Sequence, residues 1–231
     1  MELSPLFQAA KNGNIEEIKR IHASGASLNE THKNGSTALI FAAENDHMEV
    51  VKYLLEQGAD PSIETKMGGT ALNRAAQNGN TEIMKFLIRE GVKIGDLAVI
   101  MAAREGKLDA VKLLVEQGAN VDARQRWGQT AIMLAAREGH AEVVKYLLDN
   151  GANVKLKDKN GDTALNIALD NDNSDIAMML KRVGARAETK TKPPVVSEEE
   201  EDDVEEGSAS SDIDEIIGDD DEIPDDVDLD D

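Results

Sequence analysis

The chain predicts an all-α fold: a solenoid of paired antiparallel helices joined by finger loops, followed by an acidic tail that does not fold alone. Three observations carry this. Glycine recurs at Gly25, Gly58, Gly91, Gly118, Gly151 and Gly184, at intervals of 33, 33, 27, 33 and 33 residues. A small pair keeps the same step, short interval included: Ala9-Ala10, Ala42-Ala43, Ala75-Ala76, Ala102-Ala103, Ala135-Ala136 and Ala168-Leu169. Charge is segregated, with 20 acidic residues and no Lys or Arg over 197–231. A fixed period of this size marks stacked supersecondary units, each too small to bury its own apolar faces.

Six units follow in order, at about 1–28, 29–61, 62–93, 94–121, 122–154 and 155–186, then a linker over 187–196 and the tail over 197–231. The fifth shows the grammar of all. Its first apolar run, Ala131 to Ala136, is short and alanine-rich, so that neighbouring units approach closely. Gly139 stops that helix, because glycine just past a last turn accepts the left-handed conformation. A second helix places Val143, Val144, Tyr146, Leu147 and Leu148 on one face and Glu142, Lys145 and Asp149 on the other. Gly151 ends it, and the polar stretch around Gly128 before Thr130 is a turn.

The segments Gly35-Ser36-Thr37-Ala38-Leu39, Gly69-Thr70-Ala71-Leu72, Gly128-Gln129-Thr130-Ala131-Ile132 and Gly161-Asp162-Thr163-Ala164-Leu165 resemble the helix-opening signature of ankyrin repeats. Met48 to Asp60 and Glu142 to Asn153 resemble that family's second helix and its exit. The resemblance covers about residues 3–186. It implies six tandem repeats and a protein-binding surface formed by finger tips and the exposed side of each first helix.

Two departures matter. The family's Thr-Pro-Leu-His is absent, its histidine replaced by Ile40, Asn73, Ile100, Met133 and Asn166. In the family that histidine links units, so here Asn73 and Asn166 retain a donor and the remaining units are expected to lean on apolar packing. Secondly, only Val92 to Leu97 joins units three and four, six residues fewer than elsewhere. The finger there must be truncated, leaving a notch, which reads either as loop drift or as a built feature.

The formal net charge is −21, and outside the tail 26 acidic residues face all 25 basic ones. The body is near neutral and the tail is a polyanion that cannot bury enough surface to fold until bound. It is read in three ways: a solubility device, a shield for a basic client protein, or a segment that covers the body's own groove. Apolar residues within it, such as Ile213, Ile216, Ile217 and Ile223, suit docking after charge has steered the encounter. Ser197 and Ser211 resemble acidophilic kinase sites.

A polyanion repels phosphates, so no direct nucleic-acid partner is expected. The absence of Cys excludes disulfides and thiolate metal sites. Neither a signal-peptide pattern nor a membrane-length apolar run occurs, so no membrane partner is expected and the expected location is the cytoplasm, with the nucleus added if the host is eukaryotic. The expected state is a monomer.

No phosphate loop, nucleophile elbow or zinc-protease helix is present, and neither an enzyme nor a cofactor is expected. His22, His32, His47 and His140 are scattered and read as structural; Asp158 to Asp162 reads as a finger turn rather than a calcium loop. By position, the resemblance assigns partner contacts to Lys33, Lys66, Met67, Gln77, Arg104, Arg124, Arg126, Trp127, Gln129, Arg137, Lys157 and Lys159. Unit five stands out, since Trp127 is the only tryptophan and sits among arginines. Trp and Arg are the types most enriched among hot spots, although an aromatic there also suits packing on the next finger. The function expected is a protein-interaction module that carries or chaperones a basic client. The alternative is a scaffold or inhibitor whose tail covers its own concave basic surface.

Overall fold

The structure, a computed structural model, describes residues 3–187, and these form twelve α-helices with no strand. They pair as hairpins: α1 (Pro5–Asn12) with α2 (Ile15–Ala23), α3 (Ala38–Glu44) with α4 (Met48–Glu56), and α5 (Ala71–Asn78) with α6 (Thr81–Arg89). Then come α7 (Asp96–Arg104) with α8 (Leu108–Glu116), α9 (Ala131–Glu138) with α10 (Ala141–Asp149), and α11 (Ala164–Asp170) with α12 (Ser174–Arg182). The all-α solenoid of paired helices is the fold observed. The tail, with Ser197 and Ser211, lies outside the described residues.

Each first helix packs on the first helices before and after it, and the second helices form a parallel outer row. The alanine pairs sit at the first-helix seam: Ala42, Ala43, Ala75, Ala76, Ala102, Ala103, Ala135 and Ala136 are fully buried. Between the layers lie Leu39, Leu54, Leu72, Met84, Leu87, Leu114 and Leu147, all at 0–1% exposure. Removing such side chains from water at about 25 cal/mol per Å² is the main stabilising term, and each unit makes it only with its neighbours. The threonine of the helix-opening segments is the N-cap: Thr37, Thr70 and Thr163 accept from the backbone N–H of Ile40, Asn73 and Asn166 at 3.3 Å. Thr130 occupies the same place without that bond.

A second lock is not evident from the sequence. In units two, three, five and six the residue opening the second helix reaches back to the end of the preceding unit's first helix. His47 Nε2 meets the Lys11 carbonyl at 2.8 Å, and His140 Nε2 meets the Arg104 carbonyl at 2.9 Å. Asn80 donates to the Ala43 carbonyl at 2.9 Å, and Asn173 to the Ala136 and Arg137 carbonyls at 2.8 and 2.9 Å. These groups satisfy C-terminal carbonyls that a helix leaves unpaired. This position therefore carries one set of inter-unit hydrogen bonds. Asn73 donates instead to Gly68 of its own unit, at 3.4 Å.

The residue under each link is in the left-handed region: Gly13, Gly79, Gly106 and Gly139 at φ 66–80°, but Asp46 and Asp172 at 61° and 58°. The exceptions follow from who sits above. A Cβ on Gly13 would lie 2.5 Å from the His47 ring, and one on Gly106 would lie 2.6 Å from the His140 ring. Asp46 is followed by the smaller Asn80, and Asp172 by no further described helix pair. An imidazole link therefore requires glycine beneath it.

The junction of units three and four breaks this pattern. Lys107 stands where the His or Asn link is elsewhere, its stem packed on Gly79 and no side-chain cap bond made. The connection between α6 and α7 spans only 90–95. In compensation α7 has nine residues against seven or eight for the other first helices, and it packs on α5 more extensively than any other adjacent pair of first helices does. A polar chain also crosses the junction: Arg74 donates to Gln77 at 2.8 Å, Gln77 to Glu105 at 3.4 Å, and Arg104 pairs with Glu105 at 3.0 Å.

Two glycines separate conformational strain from collision. Gly91 has φ 83° and open space within 4 Å of where a Cβ would stand, whereas a Cβ on Gly106 would collide with His140. Gly91→Ala should lower stability by about 1–2 kcal/mol through φ alone. Gly106→Ala should lower it by roughly 2–4 kcal/mol, as collision adds to the same strain. Urea midpoints at unchanged slope check the difference. Asn173→Ala should cost about 1–2 kcal/mol, since it leaves two carbonyls unpaired.

Candidate functional site

Each complete finger is a tight turn closed by paired backbone bonds. His32 N–H donates to Ser36 O at 2.8 Å, Thr65 to Gly69 at 2.9 Å, Gln125 to Gln129 at 3.0 Å and Asp158 to Asp162 at 3.0 Å. In the last of these, Asp158 Oδ1 also accepts from the Asn160 and Asp162 N–H groups at 2.8 and 3.0 Å. Its carboxylate thus builds the turn. No cluster of residues able to hold a metal ion occurs among the described residues.

Fingers are tied to one another in two couples. Lys66 N–H donates to Asn34 O at 2.8 Å, joining the fingers of units two and three, and Lys159 N–H donates to Trp127 O at 3.0 Å, joining those of units five and six. Glycine makes this approach feasible. A Cβ on Gly35 would lie 2.9 Å from Lys66 N, and one on Gly128 would lie 3.3 Å from Lys159 N. Each couple is tied again at its base, where Asn29 Oδ1 accepts from Asp60 N–H at 2.8 Å and Asp122 Oδ1 from Asn153 N–H at 2.9 Å. Where the finger of unit four is truncated, a cavity of about 490 Å³ lies between the finger of unit three and the shortened connection.

The finger couple of units five and six carries the basic surface. Trp127 is 61% exposed, and the Arg126 guanidinium lies 5.7 Å from its ring centroid. What ties Trp127 to the next finger is its carbonyl, so the indole itself stays available. A cation stacked on an aromatic face holds both side chains in fewer rotamers than either would keep alone. Arg126 and Lys159 are exposed and Arg137 is half-buried, and among the described residues none of the three is paired with a carboxylate.

The other residues singled out by position divide. Lys33, Lys66, Lys157 and Lys159 are exposed on fingers, and Met67, at 84%, is the most exposed large apolar residue among the described residues. Arg124, although exposed, is a brace: it donates to Gly128 O at 3.2 Å and to Lys157 O across the finger couple. Gln129 departs from the expected contact surface, being buried at 7% and bonded to Gln125 within the turn. Gln77 and Arg104 belong to the polar chain that crosses the central junction. The histidines are structural. His22 meets the Tyr53 hydroxyl at 3.0 Å, and the His32 ring lies edge-on to Phe7 and Phe41.

Among the described residues no helix is long and apolar enough to cross a membrane. A family model described as ankyrin repeats (3 copies) matches residues 6–97 and 99–191. The fold is similar to the human ASB11 ankyrin repeat domain, at TM-score 0.70 and 27% identity, covering 80% of this chain and 85% of that one. It is also similar to a chain in the structure of the Bd0816 predatory endopeptidase from Bdellovibrio bacteriovorus in complex with immunity protein Bd3460. There the TM-score is 0.67 and the identity 28%, over 79% of this chain and 99% of that one. No curated protein matches the sequence. The twelve stacked helices and the family match agree: the chain belongs to the ankyrin repeat family, whose repeats are protein-binding modules.

Proposed function

We propose that this protein is a non-catalytic binding module that holds a protein partner on the finger couple of units five and six and the adjoining first helices. The observation that carries this is Trp127, an exposed indole stacked with Arg126 on fingers that are tied at tip and base. An aromatic and an arginine on a rigid support make a hot spot at low entropic loss. With Lys159 on the next finger and Arg137 in the last turn of the adjoining first helix, the preferred contact is an acidic stretch of the partner. The similarity to a chain in an endopeptidase–immunity protein complex supports binding to another folded protein.

A finer reading concerns the acidic sequence over 197–231. Opposite in sign to the finger couple, it suits a basic client, which makes the protein a carrier or chaperone for that client. The competing role is autoinhibition, with the acid occupying the basic fingers until a partner displaces it. Affinity purification with the full chain and with a chain ending at Lys192 separates the two. A carrier loses basic clients on truncation; an autoinhibited scaffold gains partners.

On the full chain, Trp127→Ala should weaken binding of an aspartate- and glutamate-rich fluorescent peptide by about 30-fold, the equivalent of a hot spot of about 2 kcal/mol. The far-ultraviolet helical signal should stay unchanged. Unaltered affinity, or loss of the helical signal, would remove Trp127 from the recognition surface. Raising salt from 50 to 500 mM should lower affinity by about tenfold or more, as expected for exposed charge pairing.

A further inference from the structure

We infer that the notch between units three and five is a receptor for one loop of a partner protein, carrying an arginine, that enters where the finger of unit four is missing. The inference rests on reading the protein as a binding module, and it concerns a surface that meets the Trp127 surface at the Arg126 backbone.

The finger row supplies the first observation. In each finger couple the carbonyl at one tip accepts from an N–H of the next: Asn34 from Lys66, and Trp127 from Lys159. By the repeat register, Met67 is the equivalent acceptor in unit three and Arg126 N–H the equivalent donor in unit five. With no finger between them, neither makes its bond among the described residues. The same omission lies at the finger base, where Ser62 stands in register with Asn29 and Asp122 and takes no N–H from the shortened connection. One finger's worth of backbone hydrogen bonding is thus left open on both walls of the gap, a pattern that an added extended segment satisfies.

The second observation is inside the cavity. Asn73 lines it, is only 3% exposed, and its Oδ1 is buried with no hydrogen-bond donor from the protein. A buried acceptor without a donor is destabilising, so this position favours a ligand that donates. The cavity also presents the Glu64 and Asp96 carboxylates, with Lys93 the one cation among its lining residues. Leu97 and Val92 supply apolar wall. Its volume of about 490 Å³ falls within the range of about 300–1,000 Å³ typical of ligand sites.

Three acceptors against one cation select a side chain rich in donors. Arginine fits because its planar guanidinium carries five N–H groups, enough to bond Asn73 Oδ1 and a carboxylate together, while its stem lies on Leu97. Because α7 opens at Gly95 without a side-chain cap, its first N–H groups are also open to a loop carbonyl. An acidic loop is opposed by Glu64 and Asp96, the reverse of the preference at Trp127. The two surfaces therefore select partners of opposite charge.

The test uses the full chain and a disulfide-cyclised loop peptide with one arginine at its turn, compared with the same loop bearing citrulline or glutamate. The arginine loop should bind at least tenfold tighter than the glutamate loop and shift the backbone amide resonances of Asp96, Leu97 and Arg126. Asn73→Leu and Asp96→Asn should each weaken it by about five- to tenfold. A variant with six residues inserted between Lys93 and Ile94, which completes the missing finger, should lose the loop while still binding the aspartate- and glutamate-rich peptide at Trp127. Because the insertion falls in an exposed connection, it keeps the test open should Asn73→Leu fail to fold. Equal binding of the glutamate loop, or retained binding in the insertion variant, overturns the notch assignment. If every loop fails while the acidic peptide binds, the notch proposal falls and the binding-module reading stands.

Discussion

The fold depends on one constraint: no unit is stable without its neighbours, so every unit must match the turn of the one before it. The apolar seam of alanines sets how closely first helices approach, and the His or Asn link then fixes the register. Glycine beneath each imidazole follows from that closeness. At Gly106 space forbids a side chain as much as φ does, because the ring of His140 already fills the place where a side-chain carbon would be. Where the smaller Asn80 follows, Asp46 is accepted at positive φ, at some strain.

From the same closeness comes a rigid surface. Fingers are short, solvent-facing turns that would be mobile in isolation, but they are stitched in couples by backbone bonds and by the Arg124 brace. Trp127 and Arg126 are thereby presented on a support that loses little freedom on binding. The interrupted beat at units three and four acts in the opposite sense. Three kinds of inter-unit bond disappear there together, at the finger tip, at the finger base and before the second helix. Helix α7 takes up the load by lengthening and packing on α5, while Arg104, Glu105, Gln77 and Arg74 replace the missing link. The gap is thus a stable feature of the described residues, with an unsatisfied acceptor at Asn73 and open backbone groups on its two walls.

Much of this is legible in the sequence because repetition amplifies weak signals. A single glycine says little, but the same glycine at a fixed step, with an alanine pair in phase, leaves few alternatives to stacked hairpins. Thr37, Thr70 and Thr163 are recognisable as helix openers, and the truncated finger is visible as six absent residues. The candidate site is less legible. Gln129 occupies a finger position, yet its side chain turns inward to Gln125 and is buried. Arg124 has the position of a recognition cation and is instead held by two carbonyls. Position along a repeat tells which element a residue belongs to, not where its side chain finds hydrogen-bond partners.

The inter-unit lock shows the same boundary. His47 and His140 stand out as equivalent histidines, but Asn80 and Asn173 share their register without any signal that marks them. Only the stacked structure shows that a ring nitrogen and an amide nitrogen reach the same kind of carbonyl. The sequence by itself determined the solenoid, its helix pairing, the place of the missing finger and the separation of an acidic segment from a neutral body, because periodicity and charge are properties of the chain. Tertiary structure alone decided which polar groups are satisfied: that Arg126 stacks on Trp127, that Arg124 is engaged, and that Asn73 Oδ1 is left open in the notch. The Arg124 bond to Lys157 O joins residues 33 positions apart, and such contacts exist only once neighbouring units have closed on one another, while the Arg126–Trp127 stacking is set by side-chain orientation within one finger.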